Sequence, residues 1–454
     1  MKVISPCEEI PQGFLFLCSI VRKELLNMLD LVQTINLILV VLLTAAYSYQ
    51  IFFLLYGLVK RKKASRNIAR RLHRYAAVIC ARNEEQVIGD LIASLRRQKY
   101  PAELLDIYVV ADNCTDDTAD VARKAGAMVY RRFNQAQVGK GYALDYLFRL
   151  LRQQERLDRY DGFFVFDADN IVDPNFVAEM NNTFDSGDYH AITCYRNSKN
   201  YASNWISAGY ALWFLRESRF LNHPRQLLGT NCAISGTGFL LSAKAVKENG
   251  GWPFHLLTED IEFSVNCALQ GNRIGYCDRA VVYDEQPTRF SQSWDQRLRW
   301  SKGFYQVDWH YGLSLVRRCL RGKRRFSCYD MLMTVAPGML LTLAAILFNG
   351  VFAVACLTQP AYIARQVLSV SVEFMLSSVV NFYLGLLLYG LLTTLSEWDK
   401  IRAGSGKKIL FVFTFPLFMF TYVPIALSAL VRRVSWKPIQ HGCTGVEEVV
   451  ACSA

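Results

Sequence analysis

Long apolar runs lie at both ends of the chain, and a mixed stretch separates them. Residues 31–59 carry no charge, and two further apolar runs cover residues 331–357 and 367–395, the latter interrupted only by Glu373. A transmembrane helix needs about 20 apolar residues, so each run predicts a span, and the last two predict a hairpin whose short outer loop contains Pro360. No apolar run between the first two is long enough to cross a bilayer, which predicts one cytosolic domain there.

A fourth apolar run, residues 409–431, permits two interpretations. Two prolines interrupt it, and pairs of basic residues flank both of its ends. These residues are Pro416 and Pro424 inside the run, Lys407 and Lys408 before it, and Arg432 and Arg433 after it. Because basic residues favour the cytoplasmic side, the run is either a further span or a re-entrant or interfacial element. The sequence therefore predicts three or four spans.

The middle of the chain alternates short β-branched and aromatic runs with helical patterns. The strand candidates are residues 75–80, 107–111, 127–130, 163–166 and 191–193. Residues 85–98 place apolar side chains at helical spacing. This alternation predicts an α/β sheet covered by helices.

Polar residues follow three of these predicted strands directly. The three loops begin with Ala81-Arg82-Asn83-Glu84, Asp112-Asn113 and Asp167-Ala168-Asp169. Taken singly, such residues are ordinary in turns and helix caps. Ligands of α/β sheets, however, bind at the carboxyl ends of the strands, so three acidic loops on one edge predict a site for a metal and a nucleotide.

Composition agrees with one soluble domain joined to membrane helices. The 454 residues are 52% hydrophobic with a mean hydropathy of +0.13, yet 20% are charged. The net charge of +12 lies largely in two basic clusters beside apolar runs, in residues 60–74 and 317–325. This distribution indicates cytoplasmic ends and anionic lipid headgroups rather than nucleic acid. The 13 cysteines include no C-x-x-C pair, which is typical of buried thiols in a reducing compartment.

Residues 75–300 resemble the catalytic domain of family 2 glycosyltransferases with the GT-A fold, of the membrane-bound cellulose-synthase-like and hyaluronan-synthase-like type. The three loops above carry this resemblance together with two motifs further along, Thr258-Glu259-Asp260 and Gln296-Arg297-Leu298-Arg299-Trp300. It implies an α/β, Rossmann-like mixed sheet flanked by transmembrane helices. No hydrolase elbow, dinucleotide fingerprint or zinc-protease motif competes with it.

The resemblance implies a donor site for a UDP-sugar. Ala81, Glu84 and Asp112 are expected to border the nucleoside, where carboxylates accept hydrogen bonds from uracil and ribose. Asp167 and Asp169 are expected to bind the sugar nucleotide through Mg²⁺ or Mn²⁺, with Asp169 as the principal ligand. Lys140, between Gly139 and Gly141, is expected to contact the diphosphate.

The resemblance also assigns acceptor-side roles. Asp260 is the expected general base, Glu259 is its neighbour, and Gly236 and Thr237 lie in a glycine-rich loop that approaches the acceptor. Three further residues, Gln296, Arg299 and Trp300, form the Q-x-x-R-W signature of processive enzymes. Two structural alternatives stay open: Thr258 caps a helix over residues 261–270, and the signature forms an interfacial helix.

The predicted organisation divides the chain into seven parts. They are an unexplained N-terminal segment (1–30), a transmembrane helix (31–59), a basic juxtamembrane segment (60–74), the transferase domain (75–300), an interfacial segment (301–330), a C-terminal membrane region (331–431) and a tail (432–454). We expect a multi-pass protein of the plasma membrane with its catalytic domain in the cytoplasm.

The expected reaction is metal-dependent, inverting transfer from a UDP-sugar to a growing β-linked polysaccharide at the cell surface. A rival is the addition of one sugar to a lipid. Rivals of other classes are a transporter, which the uncharged centres of the spans disfavour, and a scaffold that binds UDP without turnover. A polymer channel built from so few spans would need a homo-oligomer or an export partner.

Overall fold

The computed structural model describes residues 12–60, 68–322, 324–335, 337–358, 361–436 and 442. It divides into two compact units, which are described separately. One comprises Met1–Ser48 and Gly338–Leu384, and the other comprises Tyr49–Pro337 and Gly385–Ala454. The second unit contains the whole predicted catalytic domain.

The second unit is built on one eight-stranded sheet with the strand order β3-β2-β1-β4-β7-β6-β8-β5. The strands are β1 (Tyr75–Ala81), β2 (Leu105–Asp112), β3 (Met128–Arg132), β4 (Gly162–Asp167), β5 (Ile171–Val172), β6 (Ala191–Ser198), β7 (Phe239–Ser242) and β8 (Ile274–Asp284). β1 pairs in parallel with β2 and β4, whereas β7 runs antiparallel to both β4 and β6. The predicted mixed α/β sheet is confirmed.

Fifteen α-helices are found in the described part of the chain. They are α1 (Gln12–Val59), α2 (Ile88–Arg96), α3 (Thr118–Lys124), α4 (Lys140–Gln153), α5 (Phe176–Asp185), α6 (Trp205–Arg216), α7 (His223–Leu228), α8 (Ala243–Glu248), α9 (Glu259–Gln270), α10 (Phe290–Arg321), α11 (Arg325–Val335), α12 (Pro337–Cys356), α13 (Ala361–Ser396), α14 (Ser405–Phe420) and α15 (Tyr422–Val431). A π-helical turn, Glu217–Asn222, joins α6 to α7.

The hydrophobic core lies on both faces of the sheet. β1, β2 and β4 are almost wholly buried, as expected for parallel strands covered by helices. On one face α4 contributes Leu144, Leu147 and Phe148, and on the other face α2 contributes Leu91 and Ile92. This packing fixes the carboxyl ends of the strands relative to each other, and the predicted polar loops follow those ends.

All five predicted strands lie within or overlap observed strands, and the five candidates do not include β5, β7 or β8. β8 was missed because three residues bulge out of its pairing with β6, where the register passes from Cys194 opposite Cys277 to Tyr195 opposite Val281. The bulge places Asp278 and Arg279 in the middle of the strand and breaks the alternation that identifies strands in a sequence. The predicted helix over residues 85–98 is shorter, Ile88–Arg96.

Three helical stretches of the described chain are long and apolar enough to cross a membrane: Asp30–Val59, Ala364–Ser396 and Ser405–Val431. The first and second agree with the predicted spans at 31–59 and 367–395. Helix α1 already begins at Gln12, so the unexplained N-terminal segment is helical from that residue onward. The loop with Pro360 lies outside the described residues, as does most of the basic cluster after Lys60.

The first residues of the span predicted over residues 331–357 lie in the core of the second unit. They belong to α11 (Arg325–Val335), which precedes α12 (Pro337–Cys356). Met331 and Val335 are buried against the core beside α9, and Asp330, wholly buried, pairs with Arg225 at 2.7 Å. Residues 331–335 therefore belong to the core of the second unit, and their apolar character serves that core. A span over the rest of the run, in α12, stays a prediction; the described apolar stretch within it is Ala344–Ala355.

Within the second unit, α14 packs against α6 and α15 packs against α10. The Arg297 guanidinium on α10 donates hydrogen bonds to the Phe418 carbonyl at 3.2 Å and the Thr421 hydroxyl at 2.5 Å, at the break between the two helices. Lys302 on α10 donates to the Ala429 carbonyl at 2.9 Å. Close backbone packing adds to this, because a Cβ atom on Gly209 of α6 would lie 2.4 Å from the Phe418 ring. Whether this pair crosses the bilayer or lies at its surface stays a prediction.

Candidate active site

A glycine-containing loop, Ser235 to Gly238, lies at the centre of the candidate site. It precedes β7, and because β7 runs antiparallel to β4 the loop reaches the carboxyl end of β4. The Gly236 N–H donates to Asp260 Oδ2 at 2.6 Å, and the Gly236 carbonyl accepts from Lys140 Nζ at 2.6 Å. Gly236 has φ +78°, a left-handed conformation that glycine adopts without strain. One residue thus joins the predicted base to the predicted diphosphate lysine.

Lys140 is the first residue of α4, and its ammonium also donates to Asp167 Oδ1 at 2.6 Å. The helix can begin here because its next residue, Gly141, has no side chain. A Cβ atom on Gly141 would lie 2.2 Å from the Phe254 carbonyl oxygen. The contact of Lys140 with diphosphate stays a prediction. Its ion pair with Asp167 was not predicted from the sequence.

Asp167 and Asp169 lie at the end of β4, as predicted from their place in the sequence. Asp169 is buried, and its two carboxylate oxygens accept from Asn170 Nδ2 at 3.3 Å and from the Glu285 N–H at 3.1 Å. The Asp167 carboxylate is more open, at 39% exposure. The Thr237 hydroxyl bridges the strand to the loop, accepting from the Asp167 N–H at 2.9 Å and donating to Asn170.

These two carboxylates fit a hard divalent cation. Mg²⁺ and Mn²⁺ favour oxygen ligands, and Mg²⁺ commonly takes one or two protein carboxylates while substrate phosphates and water complete its shell. The Lys140 ammonium against Asp167 shows that positive charge already collects at this point. No cluster of three or more potential ligands occurs among the described residues.

Glu259 and Asp260 begin α9, and Glu259 is buried while Asp260 is partly buried. Burial and, to a smaller extent, the neighbouring Asp260 charge raise the pKa of Glu259 to about 7, although Lys140 and Arg299 oppose the rise. Burial likewise raises the pKa of Asp260, against the hydrogen bonds from the Ile261 and Gly236 N–H groups. Two carboxyl groups with pKa values shifted upward are typical of acid–base chemistry near neutral pH.

Thr258 occupies the N-cap position of α9, and Glu259 and Asp260 lie in its first turn, as the structural alternative expected. The Thr258 hydroxyl, however, makes no capping hydrogen bond and has no hydrogen-bond partner among the described residues. Its side chain instead lies where a Cβ atom on Gly303 of α10 would be, 2.5 Å from Cγ2. Thr258 thus sets the close approach of α10 to the start of α9.

Asp112 is the last residue of β2 and is paired with Arg132, the last residue of β3. Arg132 Nη1 donates to Asp112 Oδ1 at 2.6 Å, and both side chains are at most 7% exposed. Burial raises the pKa of Asp112, and Arg132 partly offsets this rise. Arg132 escaped the sequence analysis, although the alignment of β2 with β3 places it directly opposite Asp112. Asp112 lies two strands from Asp167 and two residues further along the strand direction, roughly 12 Å away at ordinary strand spacing.

The loops after β1 and β2 are joined by hydrogen bonds. The Asn83 side chain accepts from the Thr115 N–H at 2.8 Å, and Thr118 accepts from the Glu84 N–H at 2.8 Å. Asn83 has φ +56°, an uncommon conformation outside glycine that asparagine tolerates. Ala81, the last residue of β1, is buried. The predicted nucleoside residues therefore lie on a rigid double loop.

The Q-x-x-R-W signature lies on α10. Arg299 Nη1 donates to the Leu257 carbonyl at 3.0 Å, beside the acidic pair of α9. The Trp300 ring packs edge-on against Tyr210 and Phe214, with ring centroids 5.7 and 6.2 Å away. The side-chain amide oxygen of Gln296, Oε1, is buried and has no hydrogen-bond partner in the described part of the chain. Arg299 lies by the candidate base, while much of Trp300 is already covered.

Two further contacts complete the site. On β6, Arg196 donates to Asp284 Oδ2 of β8 at 2.6 Å and to the Ser235 carbonyl at 2.9 Å. In the tail, the Trp436 ring lies 5.3 Å from the Arg82 guanidinium in the β1 loop. Neither contact was predicted, because Arg196 and Trp436 belong to stretches in which no site motif was recognised.

Comparison with known proteins agrees with this fold. A family described as "Glycosyltransferase like family 2" matches residues 73–303, about half the chain and nearly the range predicted. Beta-monoglucosyldiacylglycerol synthase of Synechocystis sp. is 26% identical over 261 residues, which are 56% of this chain and 53% of that protein. Poly-beta-1,6-N-acetyl-D-glucosamine synthase of Staphylococcus aureus is 27% identical over 226 residues, 50% and 53% of the two chains.

The chain spans about half the length of these curated relatives. Among solved structures, the mannosyltransferase PcManGT from Pyrobaculum calidifontis, in complex with GDP-Man and Mn²⁺, aligns with a TM-score of 0.51 and 15% identity over 87% of this chain and 99% of that one. At that identity the likeness shows the fold alone. By the family match over residues 73–303, the chain belongs to the family 2 glycosyltransferases.

Proposed function

We propose that this protein transfers a sugar from a UDP-sugar, with inversion of the anomeric centre, to a hydroxyl acceptor at the membrane surface. The observation that carries the proposal is the single hydrogen-bonded network that runs from Asp167 through Lys140 and Gly236 to Asp260. It links groups suited to a diphosphate with a group suited to proton removal. Such proximity is what a direct displacement needs, because both reacting groups must be oriented together.

Asp112 is the proposed ligand of the ribose, and the loop with Ala81 and Glu84 is the proposed wall of the uracil pocket. Support comes from the order of the sheet, in which Asp112 ends β2 and Asp167 ends β4 with only β1 between them. The ion pair with Arg132 leaves the second Asp112 oxygen for the ligand. Lys140 and Arg299 would then offer positive charge to the phosphates.

Asp169 and Asp167 are the proposed holders of Mg²⁺ or Mn²⁺. When bound, the cation would offset the negative charge that develops on the departing nucleoside diphosphate. The protein's own contribution is to hold both carboxylates in place, Asp169 through the Glu285 N–H and Asn170, and Asp167 through Lys140. This arrangement keeps acidic oxygens in one small region without a built metal cage.

Asp260 is the proposed general base. Its carboxylate accepts from the Gly236 N–H at 2.6 Å and from the Ile261 N–H, and these bonds orient it for an acceptor hydroxyl. The raised pKa of Asp260 strengthens it as a proton acceptor relative to an exposed aspartate. Glu259, with a pKa near 7, would share the site's proton at neutral pH.

The first candidate acceptor is a growing β-linked polysaccharide, on the strength of Gln296, Arg299 and Trp300. The second is a membrane lipid that receives one sugar. Two observations favour the second: relatives named as glucosyldiacylglycerol synthases match 56% of this chain, and the Tyr210 and Phe214 rings already cover part of Trp300. The size of the labelled product distinguishes these candidates.

The glycosyltransferase domain, residues 75–300, is proposed to face the cytoplasm, where UDP-sugars are made. The basic residues after α1 and near the end of α10 support this orientation. On α10, Trp309 is 88% exposed and Leu313 and Leu320 are 65% and 68% exposed on the same face, as suits a helix lying at the headgroups. Protease protection in inside-out and right-side-out vesicles tests the orientation. Digestion of this domain only in right-side-out vesicles would contradict the proposed orientation.

The proposed reaction is tested by nucleoside diphosphate release. The purified full-length protein in lipid nanodiscs is given Mn²⁺ or Mg²⁺ and a panel of UDP-sugars, with GDP-mannose as the donor comparison. Release of UDP from one donor, lost after chelation, is the expected result. Release of GDP alone would overturn the UDP assignment, and no release with any donor would overturn the transferase proposal.

A further inference from the structure

The carboxylate of Glu217, which is not among the predicted site residues, contacts the Ser235–Gly238 loop. Glu217 begins the π-helical turn between α6 and α7, and the Ser235 hydroxyl donates a hydrogen bond to Glu217 Oε1. Ser235 directly precedes Gly236, whose N–H holds Asp260. Glu217 is therefore one residue away from the group that orients the proposed base. Nothing in the family motifs points to Glu217, which touches none of the residues expected to bind substrate.

The π-turn directs successive side chains to different neighbours. Arg216 donates to the Gln50 side chain at 2.7 Å, and Arg219 donates to the Gly57 carbonyl at 3.0 Å, both on the last turns of α1. Of the two residues between these arginines, Glu217 and Ser218, Glu217 accepts the hydrogen bond from the loop. An extra residue in a helix commonly serves a functional site, and here it turns one carboxylate away from the surface that the arginines use.

The loop depends on these polar contacts because packing behind it is incomplete. A cavity of about 10 Å³ lies between the loop and the π-turn, with walls that include Glu217, Ser218, Ser235 and Phe214. A gap of this size has room for about one water molecule, so side chains do not fill the space behind the loop. Two contacts hold Ser235 from this side, Glu217 on its hydroxyl and Arg196 on its carbonyl. Burial raises the pKa of Glu217, and the hydrogen bond from Ser235 opposes that rise.

We propose that Glu217 is a positioning residue for the transfer reaction: through Ser235 it fixes the Gly236 N–H against the Asp260 carboxylate. This inference rests on the proposed role of Asp260 as base. Loss of the Glu217 contact lets the loop relax toward the cavity, so Asp260 loses its orienting donor while the nucleoside residues on β1 and β2 stay in place. The defect therefore falls on turnover and not on donor binding.

The test compares four variants of the full-length protein with the donor that the wild type uses. Glu217→Ala and Ser235→Ala should each lower kcat about 10- to 100-fold, the scale of a small misplacement of a reacting group, with donor KM changed less than about twofold. The double variant should be no worse than either single variant, because both remove the same contact. Glu217→Gln, which keeps an acceptor oxygen for Ser235, should restore most of the kcat.

Ser218→Ala is the matched control, since its hydroxyl lies in the same turn and accepts only a long bond of 3.4 Å from the Arg196 N–H; its kcat should stay near that of the wild type. UDP titration of each variant establishes that the donor site is folded. Should Glu217→Ala fail to fold, Ser235→Ala and Glu217→Gln carry the comparison. Unchanged kcat in Ser235→Ala, multiplied losses in the double variant, or a Glu217→Gln as poor as Glu217→Ala would overturn the inference. A wild type without donor turnover would instead overturn the proposed function.

Discussion

Gly141→Ala should disable the site through one methyl group. A Cβ atom at this position would lie 2.2 Å from the Phe254 carbonyl oxygen and 3.4 Å from the Glu259 Cβ atom. Favourable contacts of heavy atoms lie near 3.5 Å, so the two backbones must separate by about 1 Å. The Phe254 backbone resists displacement, because Phe254 is buried and its ring packs on Trp252 and Phe263.

The displacement therefore falls on the first turn of α4, which carries Lys140. Overpacking of this kind costs about 1–3 kcal/mol of unfolding free energy. Moving the Lys140 ammonium by about 1 Å would break bonds of 2.6 Å to Asp167 and to Gly236, and a misplacement on that scale can cost about 100-fold in rate. We thus expect a lower unfolding midpoint and a kcat/KM reduced about 100-fold.

The assay is UDP release from the preferred donor, together with thermal unfolding of the same preparation. Gly89→Ala is the control, because a Cβ atom there meets only Val121 Cγ1 at 3.6 Å, an ordinary contact, and alanine favours the helix by about 0.5–1 kcal/mol. Gly89→Ala should keep full activity and stability. Wild-type activity and stability in Gly141→Ala would refute the reasoning, since the backbone contact would then not restrict α4.

Three further changes give distinct readouts. Arg132→Met should lower the unfolding free energy by about 3–5 kcal/mol by leaving buried Asp112 unpaired, and a second change, Asp112→Asn, should recover stability but not UDP affinity; recovery of both would contradict a ribose role. Lys140→Met removes a positive charge that lowers the pKa of Glu259. Without that charge the pKa should rise, so the acidic limb of the kcat/KM pH profile should move to higher pH. An unmoved limb would show that Lys140 and Glu259 are not coupled. Trp300→Ala should raise the acceptor KM more than it changes donor hydrolysis, and equal effects on both would count against an acceptor role.

The edge of the sheet that carries the site could be predicted from the sequence. Each central parallel strand is a nearly unbroken apolar run, and the polar residues that follow it, such as Asp112 and Asp167, must emerge at one edge. The order of the motifs then identified the family over nearly the same range as the family match, residues 73–303. Local pattern was sufficient there because each strand is continuous and each functional residue lies at its end.

Residues joined by long-range pairing could not be predicted in this way. Arg132 faces Asp112 only because β3 pairs with β2, and Glu217 reaches Ser235 only because a π-turn rotates it toward the loop. Residues 331–335 looked like the start of a span because a buried core helix and a membrane helix share an apolar composition. In each case the deciding information is the neighbour in space, which a single sequence does not contain.

The most direct test of the central claim compares the wild type with Asp260→Asn in nanodiscs, measuring both UDP release and UDP binding. The account predicts that the wild type turns over one UDP-sugar, and that Asp260→Asn loses transfer by several orders of magnitude while it binds UDP as tightly as the wild type. Retained turnover in Asp260→Asn, or loss of UDP binding together with turnover, would contradict the assignment of Asp260 as the base of a sugar-transfer site.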